Sequence, residues 1–463
     1  MHGYHPAAED AEIYLPGVEK LLHPELFPFN TEFFESHAHL TLFPDLMAAS
    51  VRVTHLSLDT VLFLWQFASI FLLLLACRQL IARCFSETPA RWAGVAVVAA
   101  LLTLPVAGTA LYLMDQYINP RNLAAFLSVF AVNSVFAKRY GSTVLFLAIA
   151  AVLHPLMAFF ALSYCVLLVW MKYFGFRLSP FLACLAPLGA LLPPASAAYH
   201  QATLYHPFHY IQRWHWYEWL GIVGPIPILW WFSRMARAKE SAELDRMCRG
   251  LIIYDCIYFA GALFLSLPAR FESLARLQPL RSLHLLYLLM FLFAGGFLGG
   301  WLKTRAWRWV VLFAPLCLAM LWGQLALFPQ SGHIECSRSA SKNQWVEAFV
   351  WVRLNTPVNA IFALDPLYLQ SPGEDAHGFR AIAERSSLAD ALKDSGAVTM
   401  FPPLADEWLR QVQAESGWRQ FQLSDFQRLQ RDFGVNWIVV QGTGISGITC
   451  PFRNGSVSVC RLD

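Results

Sequence analysis

Residues 143–171 read TVLFLAIAAVLHPLMAFFALSYCVLLVWM, and this stretch decides how the chain is organised. The apolar run is longer than the roughly 20 residues that one helical crossing of a bilayer needs. Pro155 lacks a backbone donor and clashes with the preceding turn, so we expect the helix to break at His154. The stretch therefore predicts two short helices that meet at His154 within a membrane.

Further apolar segments flank this stretch on both sides. They lie at about 60–80, 93–114, 122–137, 178–199, 218–233, 250–268, 282–302 and 308–328. With the two helices of 143–171 they predict about ten transmembrane or half-membrane helices. Only 14% of the residues are charged and 57% are hydrophobic. Soluble proteins carry about a quarter charged residues, so an ordinary soluble enzyme is excluded.

The basic residues indicate the orientation of these segments. With residues 1–58 outside and ten segments alternating, 15 Lys and Arg fall in inner loops and five in outer loops, as the positive-inside rule requires. The five outer residues are Arg121, Arg213, Arg270, Arg276 and Arg281. Both ends of the chain are then predicted on the outer face. The net charge of +3 is small and dispersed, so no nucleic acid partner is expected.

Charge divides the chain into three predicted regions. Residues 1–58 hold eight carboxylates against two basic residues and are predicted to form an acidic, aromatic outer loop segment. Residues 59–329 form the multi-span domain. Residues 330–463 hold 26 of the 65 charged side chains and are predicted to form a soluble α/β domain. The predicted fold class is an α-helical polytopic membrane protein with a small α/β C-terminal extramembrane domain.

The C-terminal region has its own predicted elements. We expect helices at about 343–354, 404–415 and 424–433, and strands at 359–365 and 435–441. Residues 448–460, ITCPFRNGSVSVC, alternate around Asn454-Gly455 and predict a β-hairpin. A disulfide between Cys450 and Cys460 is expected if the domain lies outside the cytoplasm.

Glu9 and Asp10 are the candidate catalytic residues. A membrane-embedded transferase needs a carboxylate near the water boundary, either to deprotonate an acceptor hydroxyl or to hold a divalent cation. The alternative is that they are two carboxylates of a solvated loop. Asp10 is the candidate ligand if a divalent cation, Mg²⁺ or Mn²⁺, takes part; otherwise no cofactor is predicted.

Other polar groups are expected at the same outer face. The candidate substrate-binding residues are Asp115, Arg121, His154, Arg213, His215, Glu218, Arg270, Arg276 and Arg281. Guanidinium groups can bind a phosphate bidentately, but arginines at helix ends also extend to lipid headgroups. The histidine- and aromatic-rich loop 199–219 is either an interfacial belt or a lid over a headgroup, and its histidines lack the spacing of a zinc site.

Two polar residues fall inside apolar segments. Asp255 is an ionisable group within a predicted span, which indicates either a functional role or a hydrogen bond to a neighbouring helix. His154 lies at the helix break, where its role is either structural or a contact with substrate.

The layout resembles the GT-C superfamily of membrane glycosyltransferases, and within it bacterial multipass proteins of unassigned reaction. The stretches that carry the resemblance are LLHPELFP (21–28), INPRNLAAF (118–126), RWHWYEWLG (213–221), LQPLRSLHL (277–285) and VRLNTPVNAIFALDP (352–366). The resemblance implies an acidic residue of the first outer loop, Asp10 or Glu9, as base or metal ligand. It also implies an outer arginine that binds the donor phosphate, which maps to Arg270, Arg276 or Arg281.

The resemblance further implies an inverting transfer of sugar from a polyprenyl-phosphate-linked donor to a lipid, glycan or protein acceptor. It implies a bacterial inner membrane, with both ends of the chain on the periplasmic or extracellular side. Members of the superfamily have a transmembrane helix ahead of the acidic loop, so we expect such a helix upstream of this sequence. Two alternatives stay open: a transporter or lipid flippase, and a non-catalytic scaffold in envelope assembly.

Overall fold

The computed structural model describes residues 1–174, 195–266, 269–338, 342–442, 444–445 and 447–462, with the backbone alone for 174, 269, 270 and 275. The helices up to residue 204 are α1 Ala11–Leu22, α2 Glu32–Ala38, α3 Phe43–Thr54, α4 Leu58–Cys84, α5 Thr88–Ala100, α6 Pro120–Phe136, α7 Tyr140–Leu153, α8 Pro155–Phe174 and α9 Ala197–Leu204. Those that follow are α10 Trp216–Val223, α11 Pro225–Ala238, α12 Ala242–Ser266, α13 Leu283–Leu302, α14 Ala306–Leu327, α15 Gln344–Asn355, α16 Phe379–Ala383, α17 Lys393–Met400, α18 Ala405–Ala414 and α19 Leu423–Phe433.

Several helices have membrane-spanning character. Within the described residues, five helical stretches are long and apolar enough to cross a bilayer: Leu58–Cys84, Pro155–Tyr173, Ala242–Ser266, Phe271–Leu302 and Ala306–Leu327. The stretch Phe271–Leu302 consists of α13 and the short 3₁₀ helices that precede it. The helix α7 is apolar but shorter. These helices support an integral membrane protein, whereas about ten crossings stays a prediction. Most of the predicted segment 178–199 lies outside the described residues.

The break at His154 is confirmed. The helix α7 ends at Leu153, α8 begins at Pro155, and His154 between them has extended backbone angles (φ −153°, ψ 92°). The segment 93–114, in contrast, is not one helix. The helix α5 ends at Ala100 and an irregular loop follows as far as Asn119. Pro105 lies in this loop and cannot continue a helical hydrogen-bond ladder.

Close packing of α5 on α13 organises the membrane region. A Cβ atom on Gly299 would lie 2.2 Å from the Cα of Ala90, and one on Gly295 would lie 2.6 Å from the carbonyl oxygen of Ala93. Small residues at these positions let the two backbones approach, as is common between membrane helices.

The N-terminal region 1–58, predicted as a loop segment, forms the helices α1 to α3 and packs on the C-terminal region. Buried arginines tie the two together. Arg380 Nε lies 2.8 Å from Oε1 of Glu12, and Arg380 Nη2 lies 2.6 Å from Oδ1 of Asp394. Arg338 forms an ion pair with Glu19.

The C-terminal region contains a mixed five-stranded sheet. Its strands are β1 Ile361–Ala363, β2 Ser386–Ser387, β3 Trp437–Gln441, β4 Thr449–Arg453 and β5 Val457–Arg461. The order is β2-β1-β3-β5-β4; β1 is parallel to β2 and β3, and β5 is antiparallel to β3 and β4. The predicted hairpin is confirmed, and Cys450 and Cys460 form a disulfide across it.

Candidate functional site

A cavity of about 1710 Å³ lies between α8, α12, α17 and the first turn of α1. One flank is apolar and is formed in part by Phe159, Leu162, Val166, Trp170, Ile257 and Phe264. The lining also includes seven charged side chains: Glu9, Asp10, Asp115, Arg121, Arg276, Arg281 and Lys393. Ion pairs join Glu9, Asp10, Asp115, Arg121 and Lys393, and these five residues form the charged end of the cavity. The cavity therefore joins a charged end to a long hydrophobic wall.

Asp10 lies between two cations at the charged end. Its Oδ2 accepts a hydrogen bond from Nη1 of Arg121 at 2.8 Å, and its Oδ1 accepts one from Nζ of Lys393 at 3.0 Å. Lys393 also donates to the carboxylate of Glu9. The side chain of Asp10 is 26% exposed, against 7% for Arg121. The carboxylate of Asp10 is thus more accessible than the guanidinium group with which it pairs.

The start of α6 positions Arg121. Asn119 caps this helix, because its side chain accepts from the backbone N–H of Asn122 at 3.0 Å, and Pro120 fits the first helical position. The amide of Asn119 also donates to Oδ2 of Asp115 at 2.7 Å, and Arg121 Nη2 donates to the same oxygen at 3.0 Å. The INPRN sequence therefore builds the Asp115–Arg121 pair locally.

Two other hydrogen bonds help to position Asp10 and Lys393. The backbone N–H of Glu9 donates to the carbonyl of Ala376 at 2.7 Å, which fixes the residue before Asp10 against the C-terminal region. Glu9 has a left-handed backbone (φ 55°), which is uncommon for a residue with a side chain. The carboxylate of Asp390 accepts from the backbone N–H of Lys393 at 2.6 Å and so anchors the start of α17.

The ion pairs set the charge states at this end. Burial alone raises the pKa of the Asp10 carboxyl, but Lys393 and Arg121 outweigh it and hold that pKa well below its ordinary value. Burial alone lowers the pKa of the Lys393 ammonium, but Asp10 and Glu9 raise it above its ordinary value. Both groups are therefore charged at neutral pH.

Of the three arginines predicted to bind phosphate, two line the cavity. Arg281 stacks over Phe208, with its guanidinium carbon 5.0 Å from the ring centre. Its Nε atom has no hydrogen-bond partner within the described part of the chain. Arg276 also lines the cavity, and the side chain of Arg270 lies outside what the structure describes. Arg281 is therefore a cation with donor capacity left for a ligand.

The loop 199–219 contributes residues other than those predicted. Arg213, His215 and Glu218 are not among the cavity-lining residues, and Glu218 caps its own helix by accepting from the backbone N–H of His215 at 2.6 Å. Instead, His206 and Phe208 line the cavity. The loop contains four histidines, and their spacing in the sequence does not indicate that His206 is the one that lines the cavity.

The two polar residues of the apolar segments, His154 and Asp255, differ in their position relative to the cavity. His154 lines the cavity, and its Nδ1 accepts from the backbone N–H of Met157 at 3.4 Å. Asp255 is buried in α12, and neither carboxylate oxygen has a hydrogen-bond partner among the described residues. Tyr254 and Tyr258 on the same helix line the cavity, and Asp255 does not.

Glu9, Asp10 and Asp115 are the cavity carboxylates that could hold a divalent cation. Both oxygens of Asp10 already accept hydrogen bonds from cationic side chains, and Oδ2 of Asp115 is shared by Arg121 and Asn119. A Mg²⁺ or Mn²⁺ ion at Asp10 would therefore have to displace a side-chain cation.

Comparisons with known proteins give one similar solved structure. No protein-family model matches the sequence, and no curated protein matches it. The chain is similar to an oligosaccharyltransferase from Archaeoglobus fulgidus in its apo form, with 12% identity and a TM-score of 0.46. The match covers 95% of this chain and 66% of that one, so this chain spans just under two thirds of the length of its match.

Proposed function

We propose that the protein transfers a sugar from a polyprenyl-phosphate-linked donor to a lipid, glycan or protein acceptor at the outer face of a membrane. The observation that carries the proposal is that Asp10, Arg276 and Arg281 line the same cavity as a long row of apolar side chains from α8 and α12. A lipid-linked sugar donor needs both ends of such a cavity, because it combines an anionic phosphate with a long hydrocarbon chain.

The charge at the polar end suits a phosphate. The residues that line the cavity include three carboxylates and four cationic side chains, an excess of one positive charge. Arg121 and Lys393 are held by carboxylates, whereas Arg281 has an unpaired Nε among the described residues. Planar guanidinium groups bind phosphate oxygens bidentately, so we assign donor phosphate binding to Arg281, with Arg276 of the same cavity as the second candidate.

Asp10 is the proposed residue for acceptor activation. A general base works best when its pKa lies near the operating pH, and the ion pairs with Lys393 and Arg121 make Asp10 a weak base. An arriving donor phosphate offers Lys393 a competing anion. Weakening of the Lys393–Asp10 ion pair would raise the basicity of Asp10 when the donor is bound. The same cations then stabilise the negative charge on the departing phosphate.

We propose that the reaction takes place in a bacterial inner membrane and that the cavity of the protein opens to the outer side. A cavity with an apolar flank lets the donor chain stay in hydrocarbon while its phosphate reaches the charged end. Asp255, the residue that would favour a transporter, lies outside the cavity. A transporter is therefore the less favoured function.

Label transfer in isolated membranes tests the proposal. Membranes of a strain lacking the gene, which retain the native acceptor, receive purified protein and a panel of labelled polyprenyl-phosphate-linked sugars. We expect label in the acceptor fraction with the wild type and with Asp45→Asn, whose carboxylate is exposed on α3. We expect none with Asp10→Asn. Absence of transfer by folded wild-type protein from every donor of the panel would contradict the proposal.

The variant Asp255→Asn distinguishes a glycosyltransferase from a transporter. Under the proposed function this variant transfers label at the wild-type rate, because Asp255 does not line the cavity. Loss of glycan export in cells, with label transfer intact in open membranes, would instead support transport.

A further inference from the structure

Three buried side chains from distant parts of the chain meet outside the cavity. The Nδ1 atom of His5 lies 3.1 Å from Oε2 of Glu335, and the Nε2 atom of His377 lies 3.0 Å from the same oxygen. The three side chains are 1%, 4% and 2% exposed. One ligand-type atom from each lies within 4.8 Å of the others. None of the three lines the cavity.

Backbone pairing delivers all three residues to one point. The N–H of Glu335 donates to the carbonyl of Tyr4 at 2.9 Å, which places Glu335 beside the residue that follows Tyr4. Ala8 pairs antiparallel with His377. The ring of His5 stacks on Phe328 with centroids 3.8 Å apart, which limits rotation of the imidazole. The cluster is therefore preorganised by its backbone.

The hydrogen bond on the far side of His377 indicates that a proton or a metal ion lies between His377 and Glu335. Nδ1 of His377 lies 3.0 Å from the carbonyl oxygen of Glu374, which can only accept, so Nδ1 carries a proton. In a neutral imidazole the other nitrogen, Nε2, then presents a lone pair to the carboxylate oxygen of Glu335. Two lone pairs at 3.0 Å repel each other unless a proton or a metal ion lies between them.

We propose that His5, Glu335 and His377 bind a zinc-type divalent metal ion that fastens the N-terminal segment to the C-terminal region. Two imidazoles and a carboxylate form a ligand set that suits zinc, whereas Mg²⁺ and Ca²⁺ prefer oxygen ligands alone. With zinc–ligand bonds of about 2.0–2.1 Å, tetrahedral angles separate neighbouring ligand atoms by roughly 3.3 Å. The two nitrogen–oxygen separations are close to that value.

The hydrogen bond from Nδ1 of His377 to the carbonyl of Glu374 is typical of a histidine that binds a metal ion through its other nitrogen. Metal-bound histidines usually donate their second ring N–H to a carboxylate or a backbone carbonyl, which fixes the tautomer. The metal ion would take no direct part in sugar transfer, because none of its three ligands lines the cavity. Its effect is structural: it holds the segment that leads to Asp10.

Metal content tests the proposal in the full-length protein, purified in detergent without a polyhistidine tag. After equilibration with zinc and removal of loosely bound metal, we expect about one zinc ion per chain, as one three-ligand site requires. Glu335→Gln should lose the ion, since a neutral amide is a poor zinc ligand. The matched control is His23→Ala, which removes the histidine of an exposed His–Glu pair, and this variant should keep the ion.

A second variant locates the metal if Glu335→Gln fails to fold. In His377→Cys loaded with cobalt(II), a thiolate ligand would produce a sulfur-to-cobalt charge-transfer band that the wild type lacks. This band supports the site. Wild-type protein that takes up no zinc or cobalt, or Glu335→Gln protein that retains its zinc, would overturn the proposal and leave the cluster as a hydrogen-bonded imidazolium–carboxylate triad.

Discussion

The Nζ atom of Lys393 lies 3.0 Å from Oδ1 of Asp10, although 383 residues separate them in the sequence. Arg121 contacts the other oxygen of the same carboxylate at 2.8 Å. Asp10 is thus held by one cation from α6 and one from the C-terminal region. The charge and position of Asp10 therefore depend on three parts of the chain, and substituting Asp10 tests the whole arrangement.

Asp10→Asn should strongly slow sugar transfer while the protein stays in the membrane. The amide keeps the size of the carboxylate but can neither accept a proton nor balance Lys393, so we expect a rate loss of about 10²- to 10⁴-fold, as for removal of a general base. The measurement is label transfer at matched protein levels, with Asp45→Asn as the control.

The stability of this variant provides the second half of the test. Removing the negative charge leaves Arg121 and Lys393 without part of their compensation, so the unfolding temperature should fall. Adding Lys393→Met should restore part of that stability without restoring transfer. Recovery of transfer in the double variant would mean that Asp10 acts only by holding Lys393.

Much of the candidate site was predictable from residue type and local spacing. The break at His154 follows from a proline in an overlong apolar run, and the Asp115–Arg121 pair lies within seven residues of sequence around a helix cap. Local rules such as these reach only a few residues. They predicted the hairpin that carries Cys450 and Cys460 for the same reason.

Long-range contacts could not be predicted in this way. Lys393 was not singled out, because a lysine at the start of a helix in a charged region has no distinguishing pattern. The helices of residues 1–58 were missed because their acidic residues include Glu12 and Glu19, which are buried against arginines of the C-terminal region. Carboxylates normally indicate exposure, and here tertiary ion pairs override that rule.

Arg281→Lys should weaken donor binding more than it slows the chemical step. Lysine keeps the charge but loses the planar fork and the stacking on Phe208. Loss of one hydrogen bond to a charged group corresponds to a rise in KM for the donor of about 10- to 100-fold. The matched control is Arg213→Lys, since Arg213 stacks on Tyr210 but does not line the cavity. Equal effects of the two substitutions would contradict a specific role for Arg281.

Arg380→Met should destabilise the contact between the N-terminal helices and the C-terminal region. Arg380 is 2% exposed and pairs with Glu12 and Asp394, which are each 1% exposed. Removing one partner of a buried ion pair lowers the free energy of unfolding by about 3–5 kcal/mol, because it leaves uncompensated charges. Arg410→Met removes an exposed pair with Glu407 and should change it by less than about 1 kcal/mol. Thermal unfolding in detergent compares the two variants.

The pH dependence of stability should report the ion pair of Asp10. Its pKa in the folded chain lies below that of the unfolded chain, so its stabilising contribution is complete above about pH 4 and is lost as the pH falls through the folded-state pKa. The difference in unfolding temperature between wild type and Asp10→Asn should therefore be constant from pH 5 to pH 8, approximately the range that favours native proteins. It should shrink below pH 4. A difference that changes across neutral pH would point to another titrating group.

Cysteine labelling should test the side of the membrane on which the C-terminal region lies. Disulfides persist in oxidising compartments and are rare in the cytosol. Cys450 and Cys460 are bonded across the β4–β5 hairpin, whereas Cys336 is a free and exposed thiol.

In whole cells with a permeable outer envelope, a membrane-impermeant maleimide should label Cys336 at once. In a variant whose other eight cysteines are replaced by serine, it should label Cys450 and Cys460 only after reduction. Replacing both hairpin cysteines with serine should lower the free energy of unfolding by about 2–4 kcal/mol. Labelling of Cys336 only after the inner membrane is opened would put the C-terminal region on the inner face, which would contradict transfer at the outer face.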